Sequence, residues 1–361
     1  MTKKYCRILC GSLALFFFVA APFVQAGDLS EAEISETRAA FLRLINRPRV
    51  AFEAATNQAA ISNGLALITF SFQSDSSNRV PGLLIKTAAS QGKRPAIIVA
   101  HGTGGNKKQQ VPLMNELAGM GFAAVAIDGR YHGERTKKSG TQDYNDAIVR
   151  AFHDGGEHPF FYDTVWDMMR LIDYLESRED IDSNRIGMIG FSKGGIETYF
   201  TAAVDPRIAV AVPCIGVQSF RWALNHNDWK GRINTVKAAF EAITKEAGVT
   251  EPDSAFVQKF YDRVVPEIYS RFDGPNMLQL IAPRPLLVVS GDTDDHNPLP
   301  GLMECAEMAR KSYERRHVPE RFKLLLEEKT GHKVTAAAQD AANDWFVQWL
   351  KPAGAQPVPR P

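Results

Sequence analysis

The chain has almost no excess charge of either sign. Its 42 lysines and arginines are balanced by 41 aspartates and glutamates, so the net charge is +1 over 361 residues. After the first few residues the sequence also lacks the clusters of basic residues that form the electrostatic footprint of nucleic-acid-binding proteins. We therefore expect no nucleic-acid partner.

Long apolar runs are also missing. The run at residues 13–21 is shorter than the roughly 20 residues that a membrane-spanning helix needs. It follows Lys3, Lys4 and Arg7 and precedes Val24-Gln25-Ala26, an order that is typical of a signal peptide with a small-residue cleavage site. We expect residues 1–26 to be removed, and the mature chain to be periplasmic or secreted without a stable membrane anchor.

Cysteine is scarce, with only 4 residues. Cys6 and Cys10 fall in the predicted signal peptide, and Gly27 rather than cysteine follows the cleavage site, which argues against lipid attachment. Cys214 and Cys305 both lie near predicted strand ends. An oxidising compartment would permit a disulfide between them, but two separate buried thiols fit the sequence equally well.

Familiar cofactor motifs are absent too. The glycine-rich turn at residues 101–105 matches neither Gly-x-x-x-x-Gly-Lys-Ser/Thr nor Gly-x-Gly-x-x-Gly, which cradle nucleotide phosphates. The histidines and acids at residues 153–158 do not have the spacing of a zinc site. We expect neither a metal nor an organic cofactor.

What the sequence does contain is an alternation of strands and helices. Residues 65–73 and 80–86 predict an opening antiparallel pair, and buried-strand patterns follow at 96–100, 123–127, 186–189 and 208–212. This alternation predicts an α/β fold with a mostly parallel sheet and helices on both faces. Residues 27–351 would form that single domain.

One segment of the domain departs from this alternation. From about residue 218 to 273 the pattern changes to amphipathic helices, at 234–247 and 254–269. The segment is too long for a crossover connection, and we interpret it as a helical cap insertion over the site. Residues 352–361 are rich in proline and are predicted to be a flexible tail.

A Gly-x-Ser-x-Gly motif stands directly after one of the buried strands. Residues 190–194 read Gly-Phe-Ser-Lys-Gly and follow the strand pattern at 186–189. This context is that of a nucleophile elbow, a sharp strand-to-helix turn that exposes the hydroxyl of Ser192 at the end of a sheet. The same five-residue motif also occurs in turns that have no catalytic role, so the interpretation depends on other residues of the chain.

Acidic residues and a histidine follow in the order that the elbow requires. Asp292, Asp294 and Asp295 come just after the strand pattern at 285–290, and His332 follows the one at 322–326. Serine, carboxylate and histidine would then meet at the carboxyl edge of one sheet. His296 competes with His332 as the base, but the serine–acid–histidine order favours His332.

Two backbone N–H groups are candidates for an oxyanion hole. The turn at residues 101–105 follows a buried strand and can present the N–H of Thr103, and Lys193 stands next to the serine. For the Lys193 side chain two interpretations stay open: it faces solvent, or it attracts anionic substrates.

The motifs together resemble those of α/β-hydrolases, in the group that contains dienelactone hydrolases, acetyl xylan esterases and the catalytic domains of prolyl-oligopeptidase-type peptidases. The resembling stretches are residues 101–105, 128–133, 190–194, 291–294 with Pro298, and 331–332. In this group the acid usually stands three residues after a glycine and four before a proline, which implies Asp294 here. Dienelactone hydrolases proper use cysteine as the nucleophile, where this chain has Ser192.

The sequence therefore predicts a serine hydrolase that cleaves small-molecule carboxylic esters through an acyl-enzyme. Ser192, His332 and Asp294 would form its triad, and the N–H groups of Thr103 and Lys193 would bind the oxyanion. The alternatives are a serine peptidase of the prolyl-oligopeptidase type and a non-catalytic binding protein on the same fold. The chain before the first strands is too short for a β-propeller, whose blades need about 40 residues each.

Overall fold

The computed structural model describes residues 27–89 and 92–351, and ten strands in those two ranges form one mixed sheet. The strands are β1 (Ala55–Thr56), β2 (Ala60–Ser62), β3 (Leu65–Asp75), β4 (Asn78–Thr87), β5 (Arg94–Ala100), β6 (Ala123–Ile127), β7 (Ile181–Phe191), β8 (Ile208–Cys214), β9 (Leu286–Gly291) and β10 (Phe322–Glu327).

Twelve α-helices accompany the sheet in the same part of the chain. They are α1 (Glu31–Ile45), α2 (Val111–Gly119), α3 (Gln142–Asp154), α4 (Tyr162–Glu176), α5 (Lys193–Val204), α6 (Phe220–Asn225), α7 (Lys230–Asn234), α8 (Lys237–Glu246), α9 (Ser254–Val264), α10 (Gly274–Met277), α11 (Leu299–Arg315) and α12 (Ala336–Leu350).

The strand order is β1-β3-β4-β6-β5-β7-β8-β9-β10, with β2 also paired to β3. The first strands pair antiparallel, and β4 also runs antiparallel to β6. From β6 through β5, β7, β8 and β9 to β10 every pairing is parallel. The predicted α/β fold with a mostly parallel sheet is confirmed, and the carboxyl ends of β5, β7, β9 and β10 all lie at one edge.

The central strands are buried on both faces, which explains their continuous apolar patterns. In β5, Ile97 and Val99 pack into one core cluster, whereas Ala96, Ile98 and Ala100 pack into the other. This alternation follows from the period of two along a strand. Helices α2 and α12 cover the first face, and α1, α4 and α5 cover the second. Two apolar layers therefore hold the sheet and fix where its strands end.

The segment between β8 and β9 is helical, and α8 and α9 pack on α3 while α6 packs on α11. Two predicted helix boundaries in it are wrong. Helix α8 begins at Lys237 instead of residue 234, because Val236 has φ −131° and ψ 33°, outside the helical region. Helix α9 ends at Val264 instead of residue 269, because Pro266 disfavours a helical conformation at the residue before it.

The two cysteines within the described ranges are separate thiols, and both are buried. Cys214 ends β8 as expected, but Cys305 lies within α11 and not near a strand end. Burial raises the pKa of both thiols, so neither is readily ionised.

Two predictions concern residues outside the described ranges, namely the signal peptide at 1–26 and the flexible tail at 352–361. Among the helices that the structure does describe, none is both long enough and apolar enough to cross a bilayer.

Candidate active site

Ser192 stands at the sharp turn between β7 and α5. Its backbone has φ 56° and ψ −116°, a conformation that a non-glycine residue rarely adopts. The turn is held by a hydrogen bond from the Ser192 N–H to the carbonyl of Cys214, at 3.0 Å. A Cβ on Gly190 would lie 2.1 Å from the carbonyl oxygen of Gly194, so only glycine fits there. The chain therefore forms the predicted nucleophile elbow.

His332 and Asp294 lie beside this serine. Asp294 lies shortly after β9 and His332 lies shortly after β10, both at the edge of the sheet where β7 ends. Nε2 of His332 lies 2.8 Å from Oγ of Ser192. Nδ1 of His332 lies 2.9 and 2.8 Å from Oδ1 and Oδ2 of Asp294. The structure thus brings the three predicted residues into one hydrogen-bonded line.

The direction of these hydrogen bonds follows from the chemistry of the groups. A carboxylate only accepts, so Nδ1 of His332 carries the proton that it donates to Asp294. Nε2 of the neutral ring is then free to accept the hydroxyl proton of Ser192. The arrangement places a base within reach of a hydroxyl that is a weak nucleophile by itself.

Asp294 is buried and yet ionised. Burial by itself raises the pKa of this carboxyl, but hydrogen bonds from His332, Asn297 and the N–H of His296 outweigh it, so the pKa lies below its ordinary value. The Asn297 amide donates to Oδ2 at 2.6 Å, and the His296 N–H donates to Oδ1 at 2.9 Å. These donors keep the carboxylate charged and fix its orientation.

The two competing acids have other contacts. Oδ1 of Asp292 accepts a hydrogen bond from the N–H of Thr330 at 3.1 Å, which ties down the loop that leads to His332. Asp295 is mostly exposed, and its Oδ1 lies 2.7 Å from Nδ1 of His296. Neither has a hydrogen bond to His332 in the part of the chain that the structure describes.

His296 lies against the ring of His332 and not against the serine. The two rings stack with their centroids 4.2 Å apart and their planes 21° apart. Burial, with a contribution from His332, lowers the pKa of His296. The stacking limits how far the His332 ring can tilt, so His296 supports this ring and does not replace it.

The predicted oxyanion donors lie next to Ser192. A Cβ on Gly102 would lie 3.5 Å from Cβ of Ser192, so the loop that contains Thr103 runs directly beside the serine. Lys193 is the first residue of α5, where backbone N–H groups have no partner within the helix. The backbone at Gly102 and at Lys193 therefore borders Ser192, and the N–H groups of Thr103 and Lys193 stay candidates for the oxyanion hole.

His101 fixes the loop that contains Thr103. Its Nδ1 lies 2.8 Å from the carbonyl of Gly102, and its Nε2 accepts a hydrogen bond from the N–H of Gly129 at 2.9 Å. Burial, together with the nearby Lys193 ammonium, lowers the pKa of His101 to about 4. The neutral ring thus joins the loop after β5 to the loop after β6.

The side chain of Lys193 corrects both predictions made for it. It is buried, with 1% of the side chain exposed, and its ammonium pairs with Glu197, one turn further along α5. The ammonium also lies 5.7 Å from the centre of the Tyr144 ring. It neither faces solvent nor is free to attract an anionic substrate. The i, i+4 spacing was visible in the sequence, but the burial of the pair was not.

One group of side chains has the composition of a metal site. Asp294, His296 and His332 each offer a ligand atom, and these atoms lie within 4.8 Å of one another. Nδ1 of His332 already bonds to Asp294 and its Nε2 is directed at Ser192, while Nδ1 of His296 bonds to Asp295. These hydrogen bonds therefore explain why the three side chains lie close together.

Comparison with known proteins shows similarity to hydrolases and esterases. The acetyl xylan esterase (AXE1) family model matches residues 48–226. The chain is 24% identical over 285 residues to YtaP of Bacillus subtilis (strain 168), a protein that carries the name of a hydrolase, and the match covers 75% of this chain and 84% of that protein.

Solved structures show the same fold. Acetyl xylan esterase 1 from Thermoanaerobacterium sp. JW/SL YS485 superposes with a TM-score of 0.65 at 19% identity, over 90% of this chain and 95% of that one. A glucuronoyl esterase from Solibacter usitatus gives a TM-score of 0.59 at 17% identity, over 86% and 92% of the two chains.

The fold and the family match define the class of the protein. The chain has the fold of the α/β-hydrolase superfamily, and it is a serine hydrolase of the carboxylic-ester class. Within that superfamily its similarity is to the acetyl xylan esterases, as the resemblance in the sequence implied.

The choice among the three acids can be tested by alanine substitution. We expect Asp294→Ala to lower kcat by about 10⁴-fold, because His332 would lose the acceptor that fixes its tautomer. Asp295→Ala should stay within a few-fold of the wild type, and Asp292→Ala should lie between them. Steady-state kinetics on a nitrophenyl ester measures all three. An inactive Asp292→Ala or Asp295→Ala beside an active Asp294→Ala would reject the assignment.

The buried ion pair predicts a large loss of stability when one partner is removed. Glu197→Gln leaves the Lys193 ammonium buried without its counter-charge, so the free energy of unfolding should fall by about 3–5 kcal/mol. The double substitution Lys193→Met with Glu197→Leu should cost less, because no unpaired charge remains. Urea unfolding of the two variants compares them, and an equal or larger loss in the double variant would contradict this account.

The depressed pKa of His101 predicts a loss of stability in acid. The folded ring stays neutral down to about pH 4, whereas the unfolded ring titrates near its ordinary pKa of about 6.5. The unfolded state therefore binds more protons between these values, and stability falls as the pH falls. From pH 7 to pH 5 this one histidine should account for about 2 kcal/mol.

Urea unfolding at the two pH values measures this loss. His101→Gln cannot titrate, so its stability should depend less on pH than that of the wild type, by the amount just given. The same pH dependence in both proteins would show that His101 is not held neutral.

Proposed function

We propose that the chain hydrolyses carboxylic esters through a covalent acyl-enzyme on Ser192. The observation that carries the proposal is the continuous line of hydrogen bonds from Asp294 through His332 to the hydroxyl of Ser192. Ser192 would be the nucleophile, His332 the general base and acid, and Asp294 the group that orients and stabilises the imidazole.

The reaction would proceed in two halves. Ser192 Oγ attacks the ester carbonyl while Nε2 of His332 takes its proton, and the N–H groups of Thr103 and Lys193 bind the developing oxyanion. The tetrahedral intermediate collapses as His332 returns the proton to the leaving alcohol. A water molecule activated by His332 then attacks the acyl-serine and releases the acid. Asp294 stabilises the imidazolium in both halves and stays ionised.

The substrate we propose is a small acyl ester, above all the acetyl ester of a carbohydrate. The support is the match to the acetyl xylan esterase family model and the similarity in fold to acetyl xylan and glucuronoyl esterases. We also propose that the protein is exported, on the pattern of residues 1–26. An exported enzyme would meet acetylated polysaccharides outside the cytoplasm.

An activity screen of the mature protein tests the proposal. Nitrophenyl esters of increasing chain length, acetylated sugars and amino-acyl nitroanilides would be compared, with Ser192→Ala as the control. We expect kcat/KM to be highest for acetyl esters and to fall with chain length, with no cleavage of the amides and no activity in Ser192→Ala. Preference for the amides would favour a peptidase. Full activity in Ser192→Ala would reject the mechanism.

A further inference from the structure

A buried arginine from the helical segment lies behind the acid of the triad. Arg232, in α7, is 2% exposed. Its Nη2 donates a hydrogen bond to Oδ1 of Asn297 at 2.5 Å. Asn297 is itself fully buried, and its Nδ2 donates to Oδ2 of Asp294 at 2.6 Å. A chain of two hydrogen bonds therefore joins the guanidinium to the carboxylate that holds His332.

This arginine has no carboxylate in direct contact within the described ranges. Arg130, which is equally buried, pairs directly with Asp75 and Asp167. Around Arg232 the polar contacts are instead the amides of Asn297 and Gln218. Burial lowers the pKa of Arg232, while Tyr261 and the charge of Asp294 oppose this effect. Asp294 is thus an anion that compensates the buried cation from beyond Asn297.

The same helical segment holds the acid loop at two further points. In the amide orientation that gives both its nitrogen and its oxygen a partner, Gln218 donates to the carbonyl of His296 at 2.7 Å and accepts from Nε of Arg232 at 3.2 Å. The backbone of Gly231 packs so closely on Asp295 that a Cβ there would lie 1.9 Å from its carbonyl oxygen. The loop at residues 294–297 is therefore fastened to α7 and to residue 218.

The hydrogen bond from Arg232 to Asn297 fixes the orientation of the Asn297 amide, because a guanidinium can only donate. An asparagine amide can rotate and exchange its oxygen with its NH₂ group. Because a guanidinium only donates, it keeps Oδ1 of Asn297 on its own side, and the NH₂ group must then face Asp294. Without the guanidinium, only the carboxylate would orient the amide, and Asn297 would lose the contact that holds it in place behind Asp294.

We propose that Arg232 is a positioning residue, which acts through Asn297 to hold Asp294 in the orientation that receives the His332 Nδ1–H. The inference rests on the proposed function, in which Asp294 orients the imidazole. It gives the helical segment a role in catalysis that does not require contact with the substrate. Arg232, Asn297 and Asp294 would then behave as one unit in kinetics.

The experiment compares Arg232→Met, Arg232→Lys and Asn297→Ala with a matched control, Arg284→Met. Arg284 is a partly buried arginine that donates to the carbonyls of Ala202, Asp205 and Ile208, away from the site. Steady-state kinetics on a neutral and an anionic acetyl ester gives kcat and KM separately. Proton NMR follows the downfield resonance of the His332 Nδ1–H···Asp294 hydrogen bond, which needs no turnover.

We expect Arg232→Met and Asn297→Ala each to lower kcat by about 10- to 100-fold, the range for one lost hydrogen bond to a charged group. KM should change little for either ester. The double variant Arg232→Met/Asn297→Ala should have a kcat no lower than that of the single variants. Arg232→Lys, which keeps the charge and a donor, should recover most of kcat. The downfield resonance should shift or broaden in Arg232→Met and stay unchanged in Arg284→Met, which should keep the kcat of the wild type.

Several results would overturn the proposal. One is an unchanged kcat and resonance in Arg232→Met; another is a rise in KM confined to the anionic ester, which would make Arg232 a substrate contact. An equal loss of kcat in Arg284→Met would show a general effect on stability. If Arg232→Met does not fold, Arg232→Lys and Asn297→Ala decide by the same criteria. One further result is a wild type that shows no esterase activity but still shows the downfield resonance, with that resonance changed in Asn297→Ala. This result would reject the proposed function but not the positioning role of Arg232.

Discussion

The hydrogen bond between Asp294 and Nδ1 of His332 is the interaction on which the site depends. It fixes which nitrogen of the ring carries the proton, and so leaves Nε2 to accept from Ser192. It can form only if the chain brings the ends of β7, β9 and β10 to one edge of the sheet. The parallel pairing of these strands, and the two apolar layers that enclose them, provide that edge.

Around this interaction, the buried charges of Lys193 and Asp294 have partners that also fix backbone or side-chain geometry. The side chain of Lys193 pairs with Glu197. The backbone N–H of the same lysine lies at the start of α5, next to the turn that contains Ser192. Asp294 receives donors from His332, Asn297 and the backbone of His296. Burying a charge without such partners costs several kcal/mol. The partners therefore stabilise the site and limit how far its groups can move.

The sequence predicted the parts of the fold and site that local patterns encode. The buried-strand patterns, the glycine-serine turn and the order serine, acid, histidine were sufficient to predict the sheet and the meeting of Ser192, Asp294 and His332. They could not reveal the burial of Lys193, because a lysine after the serine is equally compatible with solvent. Nor could they reveal the link from Arg232 to Asn297, which joins residues 65 positions apart through tertiary packing alone. The end of α9 was predictable from Pro266, whereas the start of α8 depends on a backbone conformation that no motif marks.

Trapping of the covalent intermediate tests the central claim most directly. The purified chain would be mixed with a nitrophenyl acetate, quenched in acid within the first turnover, digested and mapped by mass spectrometry. The account predicts one acetyl group per chain, attached to Ser192. Turnover without any acylated residue, or an acetyl group on a different side chain, would contradict it.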